Sequence, residues 1–253
     1  MLNVASLSDI GLVRSHNEDA CDSGLLENGA WAVVCDGMGG AKGGEIASRT
    51  AVSKISEQLK EGYRGDRSDN SIKYLMNSMI YNANAQIYDM AQSMQGLSGM
   101  GTTVVLAVVI HGIAHIAHAG DSRAYLITQD EMQQLTLDHS MVQELVRMGD
   151  LTPEEAKVHP QKNIITRALG VHAILDIDYC EYRMPENSRL LLCSDGLTNY
   201  VEPDRIHQLS KELTLEELPQ RLIQLAKDGG GGDNITVAVI ENEPSERSRH
   251  TYG

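Results

Sequence analysis

Thr102-Thr103-Val104-Val105-Leu106-Ala107-Val108-Val109-Ile110-His111-Gly112-Ile113-Ala114-His115-Ile116-Ala117-His118-Ala119-Gly120-Asp121-Ser122-Arg123-Ala124-Tyr125-Leu126-Ile127 is one unbroken passage of this chain. It contains β-branched and alternating segments separated only by short Gly-containing breaks. Thr102 to Val109 reads as a strand, Gly112 to His118 as a second and Arg123 to Ile127 as a third, with a turn at Thr128-Gln129-Asp130-Glu131. A parallel crossover needs about a dozen residues or more. Strands in such direct succession therefore pair antiparallel.

Upstream the period is helical. Ile46, Ala47, Thr50, Ala51, Lys54, Ile55 and Leu59 share a face within Gly43 to Lys60, and Ser71 to Met94 repeats the pattern, with a polar linker from Glu61 to Asn70. Before them, Ala30-Trp31-Ala32-Val33-Val34-Cys35 is a short apolar run that stops at Asp36-Gly37, a buried strand entering a turn. Downstream, Ser140 to Met148 reads as a short helix, and Thr152-Pro153-Glu154-Glu155 as a helix start with Thr152 as N-cap. Strands are expected over Ile174 to Glu181, Arg189 to Cys193 and Ile235 to Ile240, and helices over Pro203 to Leu209 and Leu215 to Lys227. Strands, then helices, then strands give an α+β class with helices covering a pair of sheets. One domain over residues 1–241 is expected, with a polar, disordered tail over 242–253.

Hydrophobic residues make up 42% of the 253 residues, enough for a buried core. With no Phe and one Trp, that core is aliphatic. The formal charge of −14 disfavours nucleic acid and anionic membrane as partners. The N-terminus has no signal-peptide pattern, and the longest apolar run is too short and too polar to span a bilayer. Cys21, Cys35, Cys180 and Cys193 form no Cys-x-x-Cys pair and read as reduced thiols. A cytoplasmic location is expected. No sequence signature argues for association, so a monomer is expected too.

Function is carried by acidic stations far apart in the chain: Arg14-Ser15-His16-Asn17-Glu18-Asp19, Asp36-Gly37-Met38-Gly39-Gly40, Gly120-Asp121-Ser122-Arg123, Ser194-Asp195-Gly196 and Asp233-Asn234-Ile235-Thr236. A single Asp-Gly is a common turn signal. The set is not common. Carboxylates at strand ends, with a glycine carbonyl beside them, offer oxygen alone, and oxygen ligation selects Mg²⁺ or Mn²⁺ over Zn²⁺. Two such ions roughly 4 Å apart clamp an in-line displacement at phosphorus. Arg14 offers a guanidinium fork for a phosphate.

Together with Gly99-Met100-Gly101-Thr102-Thr103 and His159 to Gly170, these stretches resemble the metal-dependent serine/threonine protein phosphatases, the type 2C or PPM family, in their small bacterial form. The resemblance covers nearly the whole chain. It implies a four-layer α-β-β-α sandwich, two central antiparallel sheets flanked by helices. It implies that Asp36 bridges two Mn²⁺ or Mg²⁺ ions, with the Gly37 carbonyl on one and Asp195 and Asp233 on the other, and a water between them as nucleophile. Asp121, with Asp195, would match a third, weaker ion. Glu18 and Asp19 would hold waters on the ions, with Asn234 beside Asp233 in a supporting role. Arg14 would bind the substrate phosphate, and a flap over about 139–170 would cover the site. The implied substrate is a phosphoprotein, and the implied role is reversal of bacterial Ser/Thr kinase signalling, with a kinase and its targets as partners. Met38 stands where many eukaryotic members have a His, so the proton donor is open between a water and a flap histidine such as His159.

Other chemistries fit less well. A Cys-x5-Arg phosphatase fails because the residues six beyond the cysteines are Glu27, Ala41, Glu186 and Asn199. Asp176-Ile177-Asp178-Tyr179-Cys180 imitates an aspartyl-phosphate motif but has Cys180 where Thr or Val belongs, and reads as strand. A catalytically dead binder of phosphoproteins is the competing class. Dead relatives usually lose a metal Asp, and none is lost here.

Overall fold

A computed structural model describes residues 1–40, 42–63 and 69–244. In chain order its elements are β1 (Leu2–Asp9), β2 (Asp19–Leu26), β3 (Gly29–Met38), α1 (Gly43–Gly62), α2 (Asp69–Ser93), β4 (Gly101–Thr102), β5 (Val104–Ile110), β6 (Ile113–Ala119), β7 (Arg123–Ile127), β8 (Met132–Gln134), α3 (Met141–Met148), α4 (Pro153–Val158), β9 (Asp178–Arg183), β10 (Ser188–Cys193), α5 (Asp195–Thr198), α6 (Pro203–Glu212), α7 (Glu217–Asp228) and β11 (Ile235–Asn242). One sheet runs β1-β11-β10-β7-β8 and the other β2-β3-β5-β6-β9, with the short β4 beside β3. Every pairing between these strands is antiparallel.

The continuous apolar runs follow from burial on both faces. Along β3, Trp31, Val33 and Cys35 point to α1 and α2, while Ala30, Ala32 and Val34 point to the other sheet. The same split holds in β10, where Leu190 and Leu192 face the opposite sheet and Leu191 and Cys193 face α5–α7. Three apolar layers thus separate four layers of secondary structure, α-β-β-α. The layer between the sheets is rich in small residues, including Ala30, Ala32, Ala107, Ala114, Ala124 and Ala238. Sequestering each large aliphatic side chain contributes about 1.5–3 kcal/mol, so the aliphatic composition suffices without Phe.

Several local expectations differ from the structure in instructive ways. The strand expected from Thr102 to Val109 is two strands, broken at Thr103, which receives the Asp36 N–H of β3 on its side-chain Oγ1 (2.9 Å) rather than on its carbonyl. The strand expected from Ile174 begins only at Asp178; Ile174 is 85% exposed, so its apolar character carries no strand signal. Strands β1 and β2 have weak hydrophobic patterns, Leu-Asn-Val-Ala-Ser-Leu-Ser-Asp and Asp-Ala-Cys-Asp-Ser-Gly-Leu-Leu, because most of their residues are half-buried. Thr152 does cap α4 in a full capping box with Glu155. Strand β11 extends to Asn242, so the expected tail starts later than 242, and 245–253 lie outside the described residues. The expected linker is shorter, since α1 runs through Gly62 and α2 starts at Asp69; 64–68 lie outside the described residues. Among the described residues no helix is long and apolar enough to cross a membrane.

Ile116 lies wholly buried between the sheets. Ile116→Ala is expected to lower unfolding free energy by about 2–5 kcal/mol, read by urea denaturation through the fluorescence of Trp31, the one tryptophan, which is itself fully buried.

Candidate metal centre

Antiparallel register brings the acidic stations to one end of both sheets. Asp19, opening β2, lies directly opposite Asp36 near the end of β3. Asp121 follows β6, whose last residue Ala119 pairs with Val104, next to Thr103. In the other sheet, Cys193 pairs with Val237 and Asp9 with Ile235, which places Asp195, just after β10, and Asp233, just before β11, at that same end. Two like charges directly opposite on neighbouring strands repel, so the backbone must hold them there.

It does so with a dense set of hydrogen bonds. The Asp36 N–H donates to Thr103 Oγ1 (2.9 Å), and the Asp36 carbonyl accepts from the Thr103 N–H (2.8 Å) and Thr102 Oγ1 (2.9 Å). Asp19 Oδ2 accepts from Ser194 Oγ (2.7 Å), and Ser194 Oγ accepts from the Thr236 N–H (3.0 Å). That bond ties the β2 end to the other sheet. Asn234 is the second tie: its Oδ1 accepts from the Glu18 N–H (2.8 Å) and its Nδ2 donates to the carbonyls of Ile10 (2.9 Å) and His16 (3.0 Å). Asn234 thus acts as a clasp between loops.

The glycines serve the same end. A Cβ on Gly37 would lie 2.1 Å from the Gly44 carbonyl oxygen and 2.4 Å from that of Glu18, and one on Gly196 would lie 1.9 Å from the Asn234 carbonyl oxygen. These loops touch backbone to backbone, and only glycine fits between them. The expectation that Gly37 frees its own carbonyl thus has a packing counterpart that the sequence did not reveal.

The electrostatics of the cluster are severe. Burial first, and then the charges of Asp19, Asp195, Asp121 and Asp233, hold the Asp36 carboxyl well above the usual carboxylate range. Asp195 is raised by burial and by Asp233, and tempered by hydrogen bonds with Asn199 and with Asp36 itself. Asp36 and Asp195, each raised by burial and by neighbouring carboxylates, thus favour their protonated forms when no cation is beside them. Asp121 is pushed up to about 7 by burial, Asp195 and Asp138, and Asp19 to about 7 by burial against hydrogen bonds from Thr236 and Ser194. Glu18 is also raised, chiefly by burial. The cluster draws no His or Cys into its donor set, so it fits hard divalent ions held by oxygen.

Arg14 reaches in from the β1–β2 loop and donates to Asp233 Oδ2 at 2.9 Å, with half its side chain exposed. Asn199 Nδ2 donates to Asp195 Oδ2 (3.0 Å) and its Oδ1 accepts from Lys162 Nζ (3.1 Å), which joins the segment after α4 to the cluster. His159 makes local contacts: its Nδ1 accepts from the Gln161 N–H (3.2 Å). Sequence reasoning quoted Thr103 and Ser194 within its motifs without giving either a role, and it did not single out Asn199 or Asp138. Nor did it single out His118 and His139, whose potential ligand atoms lie within 4.8 Å of each other and of Asp178, a residue read only as part of a strand. A Thr-Thr pair after Gly-Met-Gly and a Ser before Asp-Gly were the available signals.

Residues 13–228 match the family model described as Protein phosphatase 2C. The chain belongs to the protein phosphatase 2C family. This phosphatase is 40% identical over 246 residues to a serine/threonine phosphatase stp of Listeria innocua, with 96% of each chain covered. Its fold superimposes on serine/threonine phosphatase Stp1 of Staphylococcus aureus with a TM-score of 0.91 at 38% identity, over 96% of each chain. It matches the catalytic domain of serine threonine protein phosphatase PstP, solved in complex with two manganese ions, with a TM-score of 0.83 at 34% identity, covering 96% of this chain and 99% of that one. The two antiparallel sheets flanked by helices are the expected architecture, and the chain is an enzyme of the serine/threonine phosphatase class.

The raised carboxyls set a pH dependence. Folded values near 7 for Asp19 and Asp121 lie above the unfolded value of about 4. Their stabilising contribution is present in acid and is lost as pH rises from about 4 through about 7. Divalent ions held among these carboxyls would take the place of those protons. The gain in Tm on adding Mn²⁺ to metal-free phosphatase is expected to grow between about pH 5.5 and about pH 8; a gain that shrinks over that range in scanning calorimetry contradicts this account.

Proposed function

We propose that this phosphatase hydrolyses phosphoserine and phosphothreonine in proteins, with Asp36, the Gly37 carbonyl, Asp195 and Asp233 holding two Mn²⁺ or Mg²⁺ ions and Asp121, with Asp195, a third. The observation that carries the reading is the convergence of Asp36, Asp121, Asp195 and Asp233 at one end of both sheets, half-buried and close enough to raise one another's carboxyl values. Bound there, divalent ions supply the positive charge that lowers the pKa of a water and offsets charge on the phosphoryl oxygens.

The protein's own groups do the rest. Arg14 lies at the mouth of the cluster, where its fork meets phosphate oxygens as readily as it meets Asp233. Asp233 would hold Arg14 less tightly once its carboxylate were shared with a cation, leaving the guanidinium available to substrate. Glu18 and Asp19 line the cluster as acceptors for the waters that complete it. The segment over about 139–170 acts as the flap, tethered by Lys162 to Asn199. His159 is the flap candidate for protonating the leaving alkoxide; the proton would come from Nε2 of its imidazolium, a form in which Nδ1 gives up the bond it accepts from the Gln161 N–H. We take the phosphatase to work as a cytoplasmic monomer opposing a Ser/Thr kinase on that kinase's targets, reading the acidic surface as no nucleic-acid or membrane partner.

Phosphate release from phosphothreonine peptides tests this. Mn²⁺ should support turnover and EDTA abolish it. Asp36→Asn and Asp233→Asn should each lower kcat/KM by more than about a hundredfold while keeping the wild-type circular dichroism spectrum. Arg14→Lys should raise KM for peptide, because ammonium lacks the fork. Wild-type turnover in either Asn variant would sink the two-ion reading, and well-folded wild-type protein with no Mn²⁺-dependent hydrolysis would favour the catalytically dead binder.

A further inference from the structure

His118 on β6, His139 after β8, Arg167 and Asp178 at the head of β9 form a cluster the proposed mechanism does not use. Three potential ligands so close invite a metal. Their geometry argues against one. The His118 and His139 rings are stacked, with centroids 4.6 Å apart and planes 7° from parallel. A metal lies in the plane of each imidazole that binds it, along a nitrogen lone pair, and two stacked parallel planes share no such point. Both His139 nitrogens are also engaged. Nδ1 accepts from the Gly120 N–H at 3.1 Å, and Nε2 lies 3.1 Å from Asp178 Oδ2.

The Gly120 N–H is a fixed donor, so Nδ1 must carry the lone pair. Nε2 then carries the hydrogen and donates to Asp178. The His139 N–H donates in turn to the Gly120 carbonyl at 3.0 Å, so Gly120 is gripped on both sides. Asp121 follows it directly. Arg167 NH1 also lies 3.1 Å from Nε2 and donates to Asp178 Oδ1 at 2.7 Å. Without Asp178 that guanidinium would donate to Nε2, move the ring hydrogen to Nδ1 and set it against the Gly120 N–H. Burial holds both imidazoles below their ordinary value, His118 down to about 4, so His139 stays neutral and its acceptor stays available.

We propose that His139, locked by Asp178 in the Nε2–H tautomer, is a positioning residue for the Gly120–Asp121 turn. The functional half of this rests on the reading of Asp121 as a ligand of the weaker ion. Three measurements test it: long-range ¹H–¹⁵N spectra for the tautomer, hydrogen exchange of the Gly120 amide in metal-free protein, and Mn²⁺ titration calorimetry. Asp178→Ala is a substitution at a half-exposed side chain. It should shift the ring toward Nδ1–H, speed Gly120 exchange and weaken the weakest Mn²⁺ step by about tenfold. Removing Arg167 as well, in Asp178→Ala/Arg167→Ala, should recover most of the loss, which a merely structural role would not produce. His139→Asn keeps an acceptor at the δ position and should behave like wild type, whereas His139→Leu should behave like Asp178→Ala. Wild-type exchange and Mn²⁺ affinity in Asp178→Ala overturn the proposal. So does saturable Zn²⁺ binding that His118→Ala abolishes, which would make the cluster a metal site. If Asp121→Asn itself leaves every Mn²⁺ step unchanged, the reading of Asp121 fails, and the functional half of the proposal fails with it; that result is distinguished by the silence of the Asp121 variant.

Discussion

Crowding of negative charge at one end of the sandwich is the constraint on which the rest of the structure depends. Two like unit charges about 4 Å apart in a medium of effective dielectric about 20 repel by about 4 kcal/mol. Net stability of an ordinary domain is only about 5–15 kcal/mol. Burial and the neighbouring charges raise the carboxyl values of Asp19, Asp36, Asp121 and Asp195, so ionising all of them without cations is costly. The remainder of the molecule holds the acids together against this repulsion. Backbone bonds between Asp36 and Thr103 and side-chain ties at Ser194 and Asn234 are the means.

Those ties explain why the two sheets must meet where they do. Asp36 belongs to one sheet, Asp195 and Asp233 flank strands of the other, and Asp121 sits on the β6–β7 connection that joins them. Neither sheet alone assembles a donor set. The seam between them is closed by hydroxyl and amide side chains that are themselves nearly buried, Ser194 at 1% and Asn234 at 5% exposure. Buried polar groups of this kind are costly unless fully bonded, and here Ser194 bonds Asp19 at the head of β2 and Thr236 of β11, while Asn234 bonds the β1–β2 loop that joins the sheets. Specific closure and charge confinement are thus the same set of contacts.

Much of this was legible in the sequence, for physical reasons. The strands buried on both faces, β3, β5 and β10, wrote themselves as unbroken apolar runs, and α1 and α2 as helical stripes. The acids were legible because carboxylates beside glycines at the ends of such runs are hard to explain as turns when they recur. Strands β1 and β2 were not legible: half-buried strands carrying Asp and Ser leave no strong period. Nor were the partners that position the acids. Ser194, Asn199 and His139 are ordinary residues whose roles arise from contacts across 175, 4 and 19 positions, and most of those distances no local pattern encodes. The glycines were half-read, since a sequence shows that a Cβ is missing but not which backbone would have collided with it.

The alanine-rich layer between the sheets has a consequence reaching past stability. Ala30, Ala32, Ala107, Ala114, Ala124 and Ala238 act as spacers, and the ligand-bearing loops hang from the rims of the two slabs they separate. Adding or removing a methyl group in that filling shifts one slab relative to the other, and the shift is carried to the rim as a change in ligand spacing. The spacing of the acidic cluster is therefore tunable from the interior, with every carboxylate left in place.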